Sequence, residues 1–218
     1  MPTPSRARAT GLMLLATVVS ASGCFSLGRN APPQRHYVLG SEIGPQVASA
    51  PVQPVADPGT RVIGLRLPSL ADYLDSPFIV VRRGMHQVEF SEYHRWAESL
   101  RPAINRTVAG LLAERTPGDR VVTAPWPGGT HPDLLIQLHL LRFEGSAPED
   151  PEATAGSVMV LATWEVLRGV DGSLLARGGT EFRADDWRVG DFDGLVGLLD
   201  AGLRRVAQDL ARDLALSR

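Results

Sequence analysis

The stretch from Asp133 to Leu216, DLLIQLHLLRFEGSAPEDPEATAGSVMVLATWEVLRGVDGSLLARGGTEFRADDWRVGDFDGLVGLLDAGLRRVAQDLARDLAL, carries two periodicities in succession. From Asp133 to Phe143 the apolar residues alternate. Leu134, Ile136, Leu138 and Leu140 therefore share one face of an extended strand. The acidic, Pro-bearing segment 144–156 reads as an exposed hairpin loop. Ser157–Arg168 and Leu174–Ala184 read as two further strands, joined by the turn Gly169-Val170-Asp171-Gly172. After Phe192 the period changes. Leu195, Leu199, Leu203, Val206, Leu210 and Leu214 recur at steps of three or four, the apolar stripe of a helix over Phe192–Leu216. Paired strands followed by a one-sided helix make half of a two-layer domain.

Upstream, Val62, Ile63, Leu65 and Leu67, stopped by Pro68, predict a strand, and Ser69–Pro77 a turn or single helical turn. Phe78–Arg83 and Gln87–Ser91, separated by Gly84, predict a hairpin. From Ser91 the residues Trp96, Leu100, Ile104, Val108 and Leu111 fall at helical steps and predict a helix ending near Thr116. Ser91 would be its N-cap, Glu92 would suit its dipole, and Pro102 would kink or break it. Arg120–Ala124 is a short strand, and Pro125–Pro132 a loop bearing Trp and Gly. Tyr37-Val38-Leu39 predicts an edge strand, and residues 40–59, with Pro45, Pro51, Pro54 and Pro58, an exposed loop. This order predicts one α+β domain over residues 37–218. Its sheet is largely antiparallel, with two amphipathic helices packed on one face.

The composition is globular: 218 residues, 44% hydrophobic, 21% charged and 6% aromatic. A formal charge of −2 lacks the basic excess of a nucleic-acid binder. All 22 basic side chains are Arg, and the chain has no Lys. A GxxxxGK[ST] phosphate loop, a Schiff-base lysine and a Ser-Lys dyad are thereby excluded.

The single cysteine, Cys24, closes a stretch with the layout of a secretory signal. Arg6 and Arg8 give a positive start, Gly11–Val19 a short apolar run, and Ala21, Ser22 and Gly23 a small-residue approach to Cys24. A permanent transmembrane helix needs roughly 20 apolar residues, more than this run supplies. Small residues before a Cys resemble the bacterial lipobox, whose Cys is acylated after cleavage; Ala21 stands where that pattern prefers Leu. The expected organisation is a signal peptide at 1–23, lipid on Cys24, and a polar, Pro-containing tether over 24–36. An ordinary signal peptide cut at Ala21 or Gly23 would leave a free thiol instead.

No GxSxG, HExxH or CxxC pattern is present. His86, Glu89, Glu92 and His94 are close in sequence, but His86 and Glu89 point to opposite faces of a strand, and a solvated strand end is the better reading. Asp185, Asp186, Asp191 and Asp193 lack EF-hand spacing and read as turn and N-cap residues. Trp96 reads as core. No catalytic residue, metal site or cofactor is expected, and an envelope hydrolase would need a nucleophile and base that the residues do not supply.

Residues 71–112, ADYLDSPFIVVRRGMHQVEFSEYHRWAESLRPAINRTVAGLL, resemble the signature of the ABC-type transport auxiliary lipoprotein family, which includes the PqiC lipoproteins. The resemblance is carried by Asp72-Tyr73-Leu74-Asp75, Ile79-Val80-Val81-Arg82 and Glu92 to Leu100, with Tyr37-x-Leu39 and the C-terminal helix in support. The loop at 44–58 is longer than the family's. The resemblance implies a non-catalytic lipoprotein subunit of an intermembrane lipid transport system, working with an MCE-domain protein and an inner-membrane permease and ATPase. Phe25 after Cys24 favours the periplasmic face of the outer membrane by the enterobacterial sorting rule. Self-association is left open, and so is a structural or assembly role in another envelope machine, such as secretion or lipopolysaccharide export. Tyr73, Asp75, Arg82 and Arg83 flank a turn inside the family block and are the candidate partner contacts. The alternative is that Tyr73 caps the core and Arg82 pairs with Glu89 or Glu92.

Overall fold

The computed structural model describes residues 32–41, 60–126 and 128–216. The signal peptide, Cys24 and most of the tether (residues 1–31), and the expected loop at 42–59, lie outside the described residues. In chain order the elements are β1 (Arg35–Tyr37), β2 (Val62–Leu65), β3 (Ser69–Leu70), a 3₁₀ turn (Asp72–Leu74), β4 (Phe78–Arg83), β5 (Gln87–Trp96), α1 (Leu100–Arg115), β6 (Arg120–Thr123), β7 (Leu134–Ala147), β8 (Ala155–Arg168), β9 (Leu174–Arg188) and α2 (Phe192–Leu216).

Strand β7 is the axis of a nine-stranded sheet. One of its sides carries β8, with β9 beyond it. Its other side is shared by β2, β3 and β4, which pair with it one after another and all in parallel. β6 extends the sheet past β2, and β5 and β1 extend it past β4. The long ladders, β4–β5, β7–β8 and β8–β9, are antiparallel. The fold is α+β, as the alternation of patterns predicts.

Helix α2 packs across β8 and β9, and α1 packs against α2 and β6. The six stripe residues of α2 are all fully buried, as are Val158, Val160, Ala162 and Val166 of β8. Each such Val or Leu side chain contributes about 1.5–3 kcal/mol relative to an exposed one. On β7, Leu134, Ile136, Leu138 and Leu140 are buried. A bulge between Leu140 and Arg142 then leaves Leu141 exposed and returns Phe143 to the core. Gly202 lets α2 approach the sheet: a Cβ there would lie 2.5 Å from Val160. Two polar contacts pin the same layer. Trp164 Nε1 donates to Asp213 Oδ2 (3.0 Å), and Thr180 Oγ1 to Asp209 Oδ2 (2.8 Å).

Several boundaries differ from the sequence expectation. The helix expected from Ser91 begins at Leu100, because residues up to Trp96 are held in β5 by β4 on one side and β1 on the other. Ser99 precedes the helix, and Ser91 and Glu92 belong to a strand. Pro102 does not break the helix. It sits in the first turn, where an amide has no intrahelical acceptor, and the first amide bonded back is that of Ala103, to Ser99 (3.2 Å). Trp96 is core, but at a strand end. The β1 strand is Arg35–Tyr37, so Arg35 and His36 belong to the sheet and not to the tether. Finally, β7 runs on to Ala147 and β8 starts at Ala155, which shortens the expected acidic loop at both ends, and β9 reaches Arg188.

Candidate functional site

That extension of β7 places Glu144 in a strand. Phe143 pairs with Val160 in the helix-covered core, so pleat alternation turns Glu144 to the other face of the sheet. It is nevertheless completely buried. Its carboxylate accepts three bonds: from Tyr73 Oη (2.6 Å), Arg82 Nε (2.8 Å) and Arg142 Nε (2.9 Å). A buried carboxylate needs such partners, since an unpaired one would lose its hydration uncompensated. Arg82 also lies 5.5 Å from the centre of the Tyr73 ring.

Burial, then the hydrogen bond to Glu144 and its charge, push the Tyr73 phenol up to about 12, against a smaller opposite effect of Arg82. The hydrogen bond to Glu144 likewise raises the Arg82 guanidinium, outweighing its burial. Tyr73 is thus a proton donor throughout the neutral range, and the carboxylate is fully engaged. Chemically the cluster is a clamp. It ties the 3₁₀ turn and the β4–β5 hairpin to β7.

The other candidate contacts are also occupied. Arg83 donates to both oxygens of Glu89 (2.7 and 3.2 Å) and to the Pro148 carbonyl (3.1 Å), joining the hairpin tip to the loop after β7. Asp75, half-exposed, pairs with Arg101 in the first turn of α1. The partner expected for Arg82 was Glu89 or Glu92; Glu144 takes Arg82 instead, and Glu89 goes to Arg83. Glu144 was missed because its sequence context, Glu-Gly-Ser-Ala-Pro, reads as loop. Its partners Tyr73 and Arg82 lie 71 and 62 residues away.

Of the histidines and acids singled out in the sequence, His94, Glu89, Asp185 and Asp191 take structural partners. His94 Nδ1 bonds Tyr37 Oη (2.8 Å), and its ring stacks on Phe192 with centroids 3.8 Å apart. Burial, and then the charge of Arg35, lower its pKa, against the opposite pull of Asp193. His139 Nδ1 bonds Ser69 Oγ (2.6 Å), and Asp191 accepts from the Gly194 amide (3.0 Å) as the cap of α2. Among the described residues no group of three or more His, Cys, Asp or Glu could hold a metal ion. A groove of about 590 Å³ between β1 and α2 has His36, Asp193, Asp200 and Arg204 in its walls.

Comparison with known proteins places this geometry. Residues 37–211 match the sequence model of the ABC-type transport auxiliary lipoprotein component family. No curated protein matches the chain. A crystal structure of an uncharacterized protein superposes with a TM-score of 0.59 at 20% identity, covering 71% of this chain and 92% of its own. Protein XCC0632 from Xanthomonas campestris superposes with a TM-score of 0.58 at 15% identity, covering 85% and 94% respectively. At these identities the likeness is one of fold.

Proposed function

We propose, on the premise that this chain belongs to the ABC-type transport auxiliary lipoprotein family, that it is a non-catalytic docking subunit of an MCE/ABC-type intermembrane lipid transport system. In this reading the lipid on Cys24 holds the domain at the periplasmic face of the outer membrane. The domain receives the end of the periplasmic MCE component there, while an inner-membrane permease and ATPase supply the energy. The observation that carries the reading is that the family match spans both layers of the fold, from β1 into α2. The Glu144 clamp supports it: its acid, its phenol and its two guanidinium groups are committed to one another, which suits a rigid docking face better than a reaction centre. Tyr73, Asp75, Arg82 and Arg83 are the proposed partner contacts, held in place by their own pairings.

The test is co-purification of the full chain from detergent-solubilised envelopes of the producing organism. The MCE-domain protein and the permease should come with it, and Cys24→Ser should shift it out of the membrane fraction. Wild-type protein that is membrane-bound yet free of both partners would overturn the docking reading. It would favour a structural role in another envelope machine.

A further inference from the structure

Beside the clamp, on the β4–β5 hairpin, lies an aromatic patch built around Arg95. Arg95 stands opposite Phe78 in the β4–β5 ladder and opposite His36 in the β1–β5 ladder. Its guanidinium lies 4.5 Å from the centre of the Phe78 ring. Phe78 in turn meets Phe90 edge to face, centroids 6.4 Å apart. Phe90 is 46% exposed, unusually open for so large an apolar ring. Phe78, Val80 and Arg82 alternate along β4, so this patch continues into the face that holds the Glu144 clamp.

What separates Arg95 from its neighbours is charge balance. Arg82 and Arg142 share Glu144, Arg83 has Glu89, and Arg101 has Asp75. Arg95 forms no ion pair among the described residues, and its Nε is buried without a hydrogen-bond partner. That Nε is closed off by the protein's own atoms, so an outside acceptor meets the terminal nitrogens of the half-buried guanidinium. An Arg stacked on an aromatic ring, beside an exposed Phe, has the composition of an interface anchor.

We infer that the Phe78–Phe90–Arg95 patch is the anchor of the docking face, and that the surface it takes presents a carboxylate flanked by apolar side chains. The carboxylate would pair with the terminal nitrogens of Arg95, and the apolar flank would cover Phe90. This rests on the docking reading above and adds which residues make the contact and what chemistry they meet.

The experiment measures binding of the full-length, detergent-solubilised protein to the MCE-domain protein of the same organism. Wild type is compared with Arg95→Glu, Arg95→Lys and Phe90→Ser. Phe90 is exposed, so Phe90→Ser should melt with wild type and keeps the test valid even if Arg95→Glu unfolds. Arg95→Glu and Phe90→Ser should each weaken binding at least tenfold, with Arg95→Lys falling between because it keeps the charge and loses the planar fork. Wild-type affinity in folded Arg95→Glu and Phe90→Ser would overturn the inference and leave the docking reading standing. Loss of self-association in these variants, with MCE binding intact, would overturn it in favour of a contact between copies. No binding by wild type would overturn the docking reading itself, and this inference with it.

Discussion

Replacing Glu144 by Gln keeps the shape of the side chain and removes its charge. The amide oxygen can stand where Oε1 accepts from Arg82 and Arg142, and the amide nitrogen where Oε2 faces Tyr73. Tyr73 can reverse its hydroxyl and accept. The loss therefore falls on the two guanidinium bonds. Each guanidinium keeps its own charge but loses its ionised acceptor, and about 1 kcal/mol lost at each of the two bonds sums to about 2 kcal/mol. The side chains of Arg82 and Arg142 are 20% and 28% exposed and recover some hydration, which makes this an upper figure. For a domain of this size about 2 kcal/mol lowers Tm by roughly 4–8 °C. Glu144→Leu leaves both guanidinium groups without their acid and should cost about 3–5 kcal/mol. The assay is urea unfolding followed by tryptophan fluorescence, with Glu144→Gln, Arg82→Met and the double variant closing a cycle. A coupling of about 1 kcal/mol or more is expected between contacting residues. A Glu144→Gln protein within about 0.5 kcal/mol of wild type, the usual reach of an inconsequential surface change, would refute the clamp.

Three further outcomes follow from the same contacts. Tyr73 is held neutral in the fold, with a pKa of about 12 against an unfolded value of about 10. Its contribution is complete below pH about 10 and disappears as pH rises toward 12, so alkaline melting should lose a stabilisation that Tyr73→Phe lacks, and identical pH profiles would refute it. The lowered pKa of His94 has the opposite sense: its contribution is present above the unfolded value of about 6.5 and lost as pH falls through the folded one, so NMR titration should find His94 below about 6.5, and a value above that would refute it. Gly202→Val should destabilise by about 1–3 kcal/mol through overpacking against Val160, and an unchanged urea midpoint would show that α2 can move away.

The parts of the fold that were legible were those written in local periodicity. The stripe from Leu195 to Leu214 is one-sided and unbroken, and every residue in it is buried. Gly84 marks the hairpin tip, at φ +60. The misread segment, Ser91 to Ser99, shows why periodicity alone is insufficient. Strand β5 is buried unevenly along its length, so it lacks a period of two, while Trp96 and Leu100 happen to stand one helical turn apart. What stopped the helix from starting early was pairing with β1 and β4, and that is tertiary. The candidate site was half legible. Tyr73 and Arg82 were marked, but the residue that unites them was hidden by distance along the chain and by a loop-like context. Arg95 carried no signal, because a missing partner is visible only once its neighbours are placed.

Strand β7, shared along one side by β2, β3 and β4, sets an order in time as well as in space. Its pairing with β8, and that of β8 with β9, closes over short loops. The contact between Ser69 and His139 spans 70 residues, and chain entropy makes so long a closure expensive until its target is rigid. The C-terminal meander can therefore assemble first and offer one finished edge. The three N-terminal strands are then selected by it, each in its own register, as a template selects the pieces that fit. On that route the half of the molecule made first during synthesis is the half that waits.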